Sequence, residues 1–245
     1  MARTAILGRL TWRVATIAAI QEETDTARTL LLDVPDWPGH LAGQHVDIRL
    51  TAEDGYTAQR SYSLASADTV SITVQRVSEG EVSSYLVDGA QPGDQFELRG
   101  PVGGYFTWDP TDTSPVLLVA GGSGIVPLMS MIRTRGQSGS RTPFRLIYSI
   151  RDPGSVIYAD ELKQRADSDP GLEITYVYTR QTPPDWPVPP GRLDVNRLAE
   201  AGWPPSVEPE CYVCGPTSFV EAVADLLVAA GHAAHRIRTE RFGGA

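Results

Sequence analysis

From Trp12 to about Trp108 the chain alternates apolar and polar positions with a period of two. Val46, Ile48 and Leu50 are separated by Asp47 and Arg49, and Val70, Ile72 and Val74 by Ser71, Thr73 and Gln75. Strands with one wet face show this pattern, so the first half predicts an antiparallel sheet or barrel. The polar segment 107–115, bounded by Pro110 and Pro115, closes it, and beyond lie short continuous apolar runs at 116–120, 146–148, 174–178 and 212–213. Such runs are expected of strands buried on both faces of a parallel sheet. Helical spacing separates them, most clearly where Phe219, Val220, Val223, Leu226, Leu227 and Ala230 share one stripe between Pro216 and Gly231. Strand and helix alternate, which predicts an α/β unit. The expected organisation is a β domain over residues 1–109 and an α/β domain over 110–245, with 183–190 as a Pro-rich surface loop.

Composition excludes more than it assigns. Of 245 residues, 41% are hydrophobic and 21% charged, which supports one large or two modest cores and rules out a disordered chain. The net charge of -9 divides as -7 over residues 1–109 and -2 over 110–245. No overall field therefore draws the protein to nucleic acid or to an anionic membrane. Arg9 and Arg13 interrupt the N-terminal stretch before an apolar signal core can form, so the expectation is a soluble, cytoplasmic protein. Cys211 and Cys214 fall short of the four thiolates of an iron–sulfur cluster, and their strand setting sends them to opposite faces, against a redox pair. His40, His45, His232 and His235 are scattered, and no metal site is expected.

Three segments are candidates for chemistry. Gly121-Gly122-Ser123-Gly124-Ile125-Val126-Pro127 follows the first buried strand and opens an apolar helix. Glycines let backbone approach a ligand, and a helix start offers free amides to a pyrophosphate. Pro127 stands where the last glycine of the G-x-G-x-x-G fingerprint would be, so alone this segment reads equally as a tight strand-to-helix turn. Cys214-Gly215-Pro216-Thr217 is a second such junction, and two glycine turns at the carboxyl ends of parallel strands would flank one crevice. In the first half, Arg60-Ser61-Tyr62-Ser63 ends one strand and the segment 80–86 follows another. An arginine fork with hydroxyls and helix-start amides suits a diphosphate, and a tyrosine ring suits stacking. Taken alone, a surface arginine and a half-buried strand tyrosine is the simpler reading.

These segments, with Gly100-Pro101-Val102-Gly103 and the terminal Glu240-Arg241-Phe242-Gly243, occur in the order seen in the ferredoxin-NADP reductase-like flavoproteins. The chain resembles that family over its whole length. The resemblance implies an antiparallel six-stranded FAD-binding barrel followed by a parallel-sheet α/β domain that binds NAD(P)H. It implies that Arg60 and Ser61 contact the flavin diphosphate region, that Tyr62 stacks on the isoalloxazine and that Ser63 lies near the reactive flavin nitrogen. Val77, Gly80, Val82, Ser83 and Ser84 would hold the diphosphate side. Gly122, Ser123 and Gly124 would face the nicotinamide nucleotide, and Cys214, Gly215 and Pro216 would line the nicotinamide slot. Glu240 matches the family's acidic residue near the flavin, and Phe242 its C-terminal aromatic shield. The chain departs from the plant-type pattern in having Phe in place of Tyr and in running on through Gly243, Gly244 and Ala245.

The same resemblance implies an NAD(P)H-dependent flavoprotein reductase whose cofactors are FAD and NADPH, or NADH. Ser63, Cys214 and Glu240 would serve the chemistry. Arg151, Thr179 and Arg180, beyond the second and third buried strands, suit a 2'-phosphate, whereas Asp152 suits a ribose hydroxyl. The expected partner is a separate electron acceptor such as a ferredoxin, flavodoxin or oxygenase component, with Arg133, Arg135, Arg236, Arg238 and Arg241 as a candidate docking patch. Alternatives are a non-catalytic flavin- or nicotinamide-binding regulatory module and a diaphorase or flavin reductase with small acceptors.

Overall fold

The computed structural model describes residues 10–243; Arg9, Gly244 and Ala245, which figure in the reading above, lie outside them. Six strands form the first sheet: β1 (Trp12–Thr24), β2 (Ala27–Asp33), β3 (His45–Thr51), β4 (Thr57–Ser63), β5 (Ser71–Gln75) and β6 (Gln95–Val102). They pair antiparallel in the order β4-β3-β6-β1-β2-β5. Just past β4, Leu64 bridges Ile72 of β5, which brings the two edge strands together and closes the predicted barrel at that end. The alternation places Val46, Ile48, Ile72, Val74 and Leu98 inside, fully buried, each contributing roughly 1.5–3 kcal/mol by leaving water. A short helix, α1 (Glu81–Ser84), runs on into a π-helical turn (Tyr85–Gly89) and plugs this core with Val82, Leu86 and Val87.

One expectation fails on β5. Its supposedly wet side chains, Ser71 and Thr73, are buried, because the α/β half packs on that face and Thr73 hydrogen-bonds to Tyr158.

The second sheet contains β7 (Val116–Gly121), β8 (Phe144–Ile150), β9 (Leu172–Tyr178), β10 (Glu210–Pro216) and β11 (Ile237–Phe242), all parallel, in the order β11-β10-β7-β8-β9. Helices α2 (Ile125–Ser138) and α3 (Ala159–Ser168) cover one face, and α4 (Val195–Ala201) and α5 (Thr217–Ala229) the other. Alternation decides which core each β7 residue joins: Val116, Leu118 and Ala120 pack under α2, and Leu117 and Val119 under α5. On α5 the predicted stripe turns inward through Val220, Val223 and Leu227. The run 174–178 is not buried on both faces as expected. It forms the sheet's edge, so Thr175 is exposed. The loop 183–190 lies on the surface, with Trp186 set edge-on against Tyr178 at 5.1 Å between ring centroids. Among the described residues no helix is long and apolar enough to cross a membrane.

Candidate active site

Strand order locates a crevice. From β7 the chain steps outward through β8 and β9, then returns to place β10 on the other side of β7, so the β7/β10 boundary is the switch point of the sheet. Loops diverge there, and ligands of open α/β sheets sit at the carboxyl ends of such strands. Both glycine turns lie at that point. A Cβ on Gly124 would stand 2.1 Å from the carbonyl oxygen of Cys214, and one on Gly121 or Gly215 would stand 2.6 Å from the ring of Phe219. Only glycine lets the two turns approach this closely above that ring. Helix α2 opens at the same place without a side-chain N-cap, leaving its first amides to other acceptors.

The barrel meets the crevice through Ser63, the last residue of β4. Its hydroxyl donates to Glu240 Oε1 at 3.1 Å, although 177 positions separate the two in sequence. Glu240 is held there by β11, in register with Cys214 on β10, which in turn lies beside Ala120 of β7. Burial pushes the Glu240 carboxyl up to about 7, against the opposing pull of the Ser63 hydrogen bond. Burial and the neighbouring Glu240 push the Cys214 thiol well above its ordinary value, so it stays protonated. One strand pair along, Phe242 stands opposite Pro216, 38% exposed at the end of β11.

The remaining predicted residues divide into free and committed groups. Arg60 is exposed; its guanidinium donates only to the neighbouring Gln59 carbonyl, at 2.7 Å, and pairs with no carboxylate among the described residues. Tyr62 rests against the barrel core, and burial raises its hydroxyl to about 12. The turn before α1 is prefolded: Gly80 donates to Val77, and Ser83 Oγ bridges the Val77 amide at 3.2 Å and the Gly80 carbonyl at 3.3 Å. The Ser83 hydroxyl is thereby spent inside the turn. Val82 and Ser83 are buried and Ser84 is half-buried, with its amide donating to the Gly80 carbonyl at 2.9 Å. Ser61 is committed too, donating to Asp47 at 2.6 Å while Arg99 holds the other carboxylate oxygen. Arg151 and Arg180 are exposed past β8 and β9 and joined by a backbone hydrogen bond of 2.9 Å, while Thr179 donates to Ile150. Asp152 accepts from Ser155.

Family models match both halves: an oxidoreductase FAD-binding domain over residues 13–107 and an oxidoreductase NAD-binding domain over residues 118–225. The chain is 33% identical over 238 residues to the glycine betaine monooxygenase reductase subunit of Pseudomonas aeruginosa, covering 94% of this chain and 64% of that protein. It is 32% identical to the ferredoxin reductase component of 3-ketosteroid-9-alpha-monooxygenase of Mycolicibacterium smegmatis, covering 92% and 64%. The flavohem-like FAD/NAD-binding domain of nitric oxide dioxygenase from Vibrio cholerae superposes with a TM-score of 0.83, at 26% identity, covering 95% of this chain and 99% of that one. The chain belongs to the ferredoxin-NADP reductase-like flavoprotein family. It spans just under two thirds of the length of the curated relatives named here.

For a member of this flavoprotein family the donor set fits the two groups its domains are built for. The exposed Arg60 guanidinium suits a diphosphate, and the glycines let the β7 and β10 turns close up on each other and on Phe219, which sets the uncapped start of α2 beside Cys214. Two neighbours of this site escaped the sequence reading. Phe219, taken there as one of a helix stripe, forms the crevice floor, and Gln75 Oε1 lies 3.9 Å from where a Gly122 Cβ would be. Neither position has a local motif, so no sequence signal marks them.

The expected arginine patch does not assemble. Arg133 pairs with Glu161, Arg135 is buried against Asp169, Arg236 pairs with Glu208 and Glu210, and Arg238 pairs with Glu210. Ion pairing within the fold leaves Arg241 alone of the five exposed and without a partner among the described residues. Cys211 and Cys214 lie in different cores on opposite faces of the sheet, both as free thiols. Among the described residues no cluster of three or more metal-ligating side chains forms.

Proposed function

We propose that the protein is an NAD(P)H-dependent reductase that passes electrons from NADPH, or NADH, through FAD to a separate acceptor protein such as a ferredoxin, flavodoxin or oxygenase component. Its units are residues 1–109 for flavin and 110–245 for nicotinamide nucleotide, with Phe106 and Trp108 reaching across into the α/β core. The location is the cytoplasm. The observation that carries the reading is the Ser63–Glu240 hydrogen bond, which joins the end of the barrel's β4 to the switch point of the parallel sheet. Reductase components of two monooxygenases among the relatives support the acceptor class.

Bound FAD would supply hydride acceptance from a nicotinamide and single-electron release. The protein's own residues bind and align. Arg60 offsets diphosphate charge, the amides at 82 and 83 would donate to its oxygens, and Tyr62 presents a flat ring held by the barrel core. Gly121, Gly124 and Gly215 let the β7 and β10 turns pack closely, which brings the start of α2 to the coenzyme slot with Cys214 as a neutral wall. Phe242, at the end of β11 opposite Pro216, would shield the flavin and yield for a second ring to stack. A Glu240 carboxyl near 7 holds or releases a proton at neutral pH while it accepts the Ser63 hydrogen bond. Arg151 and Arg180 lend two exposed guanidinium groups to a 2'-phosphate, which favours NADPH.

Anaerobic titration of purified protein with NADPH and with NADH, followed in the visible, tests this. A bound flavin bleached rapidly by NADPH supports the assignment; a protein that binds no flavin, or a flavin neither coenzyme reduces, overturns it. Arg60→Ala is expected to weaken flavin binding by about ten- to a hundredfold through loss of one charge-assisted contact.

A further inference from the structure

Tyr158 is a fully buried residue that nothing in the site uses. It stands at the N-cap of α3 with φ +62, a left-handed conformation disfavoured for a bulky side chain and tolerated where the surroundings over-determine it. Its hydrogen-bond partners there belong to the other half of the molecule. The Tyr158 hydroxyl bonds to Thr73 Oγ1 on β5, Thr73 Oγ1 lies 2.7 Å from Thr29 Oγ1 on β2, and Thr29 donates at 2.6 Å to Glu23 Oε1 on β1. Glu23 Oε2 then accepts the Tyr158 backbone N–H at 3.2 Å. A carboxylate only accepts, so the direction of every bond is set: Tyr158 to Thr73, Thr73 to Thr29, Thr29 to Glu23. Each hydroxyl donates once, and the ring runs from the tyrosine hydroxyl back to the same residue's amide through three adjacent barrel strands. Closed chains of this kind polarise one another and define one geometry.

A second clamp reinforces the first. Arg133 of α2 lies over the Tyr158 ring at 4.8 Å, donates to the Ala65 carbonyl beyond β4 at 2.9 Å, and is itself held by Glu161 of α3. Both halves of the crevice lie close to this cluster along the chain. Thr73 is two residues from Gln75, the side chain nearest Gly122, and Tyr158 follows β8, whose Ser149 pairs with Gly121. The site itself is joined across the seam by the Ser63–Glu240 bond.

We propose that Tyr158 is a positioning residue, and that its hydrogen-bonded ring with Thr73, Thr29 and Glu23 fixes the orientation of the barrel against the α/β half and so the alignment of the two cofactor rings. This rests on the flavin and nicotinamide reading above. The test uses flavin-loaded wild type, Tyr158→Phe, Thr73→Val and the double variant, mixed anaerobically with NADPH in stopped flow and reduced in parallel by dithionite, which needs no alignment.

Tyr158→Phe is expected to slow hydride transfer roughly tenfold and to weaken the charge-transfer absorbance, with dithionite reduction and NADPH affinity unchanged within about twofold. Thr73→Val should slow it similarly, and the double variant no further, because both substitutions break one ring. Hydride transfer at the wild-type rate in either flavin-loaded variant overturns the assignment, even with a lowered melting temperature. Should Tyr158→Phe fail to fold, Thr73→Val decides alone. A wild-type protein that binds no flavin or is not bleached by NADPH overturns the functional reading first, before any variant is compared.

Discussion

Glu240 offers a quantitative check on the site. Its carboxyl is pushed from the ordinary 4.5 to about 7 by burial, which favours the protonated form in the folded state. In the unfolded chain it ionises near 4.5. The folded protein therefore has its full stability from this group below about 4.5, and loses it as pH rises through about 7, above which the loss is complete. At 1.36 kcal/mol per pKa unit, the loss comes to about 3 kcal/mol at most, less whatever water entry relieves. Glu240→Gln keeps the shape, and its side-chain oxygen still accepts from Ser63, but it does not titrate. Urea unfolding at saturating flavin, run for both proteins from pH 5 to pH 8.5, isolates the effect, since every other titrating group cancels in the difference. The variant's stability relative to wild type should climb by about 2–3 kcal/mol over that range and level off above pH 8. A difference that stays flat with pH would mean that Glu240 is as solvated as a surface carboxylate and that the proton-holding role assigned to it is wrong.

Gly124→Ala forces a methyl against the Cys214 carbonyl and should destabilise the α/β half by more than about 2 kcal/mol, read as a lower midpoint in thermal unfolding. Arg180→Ala should shift the ratio of kcat/KM for NADPH over NADH about tenfold towards NADH, and an unchanged ratio places the 2'-phosphate elsewhere. Phe242→Ala removes the ring opposite Pro216, so coenzyme titration should give stronger charge-transfer absorbance; no change would mean that the ring does not cover the flavin.

Periodicity alone determined the two architectures. A residue whose neighbours alternate in polarity, such as Ile48, has only one way to face a core, and the run 116–120 is covered on both sides as its pattern predicts. The glycine turns and the Arg60–Ser63 segment were visible for the same reason: their chemistry depends on local backbone freedom or on residue type at short spacing. What depended on non-local packing was not visible. Ser71 and Thr73 read as solvent-facing because the surface that buries them lies some 85 residues away in sequence at Tyr158. Four of the five arginines read as a docking patch because their carboxylate partners are brought to them only by the folding of distant strands and helices. The edge position of β9 follows from strand order, which no single strand encodes. The pairing of Ser63 with Glu240 was decided last of all, by how a barrel and a parallel sheet dock. Hydrophobic pattern specifies which face of an element is buried, whereas the partner that buries it is chosen by the whole fold.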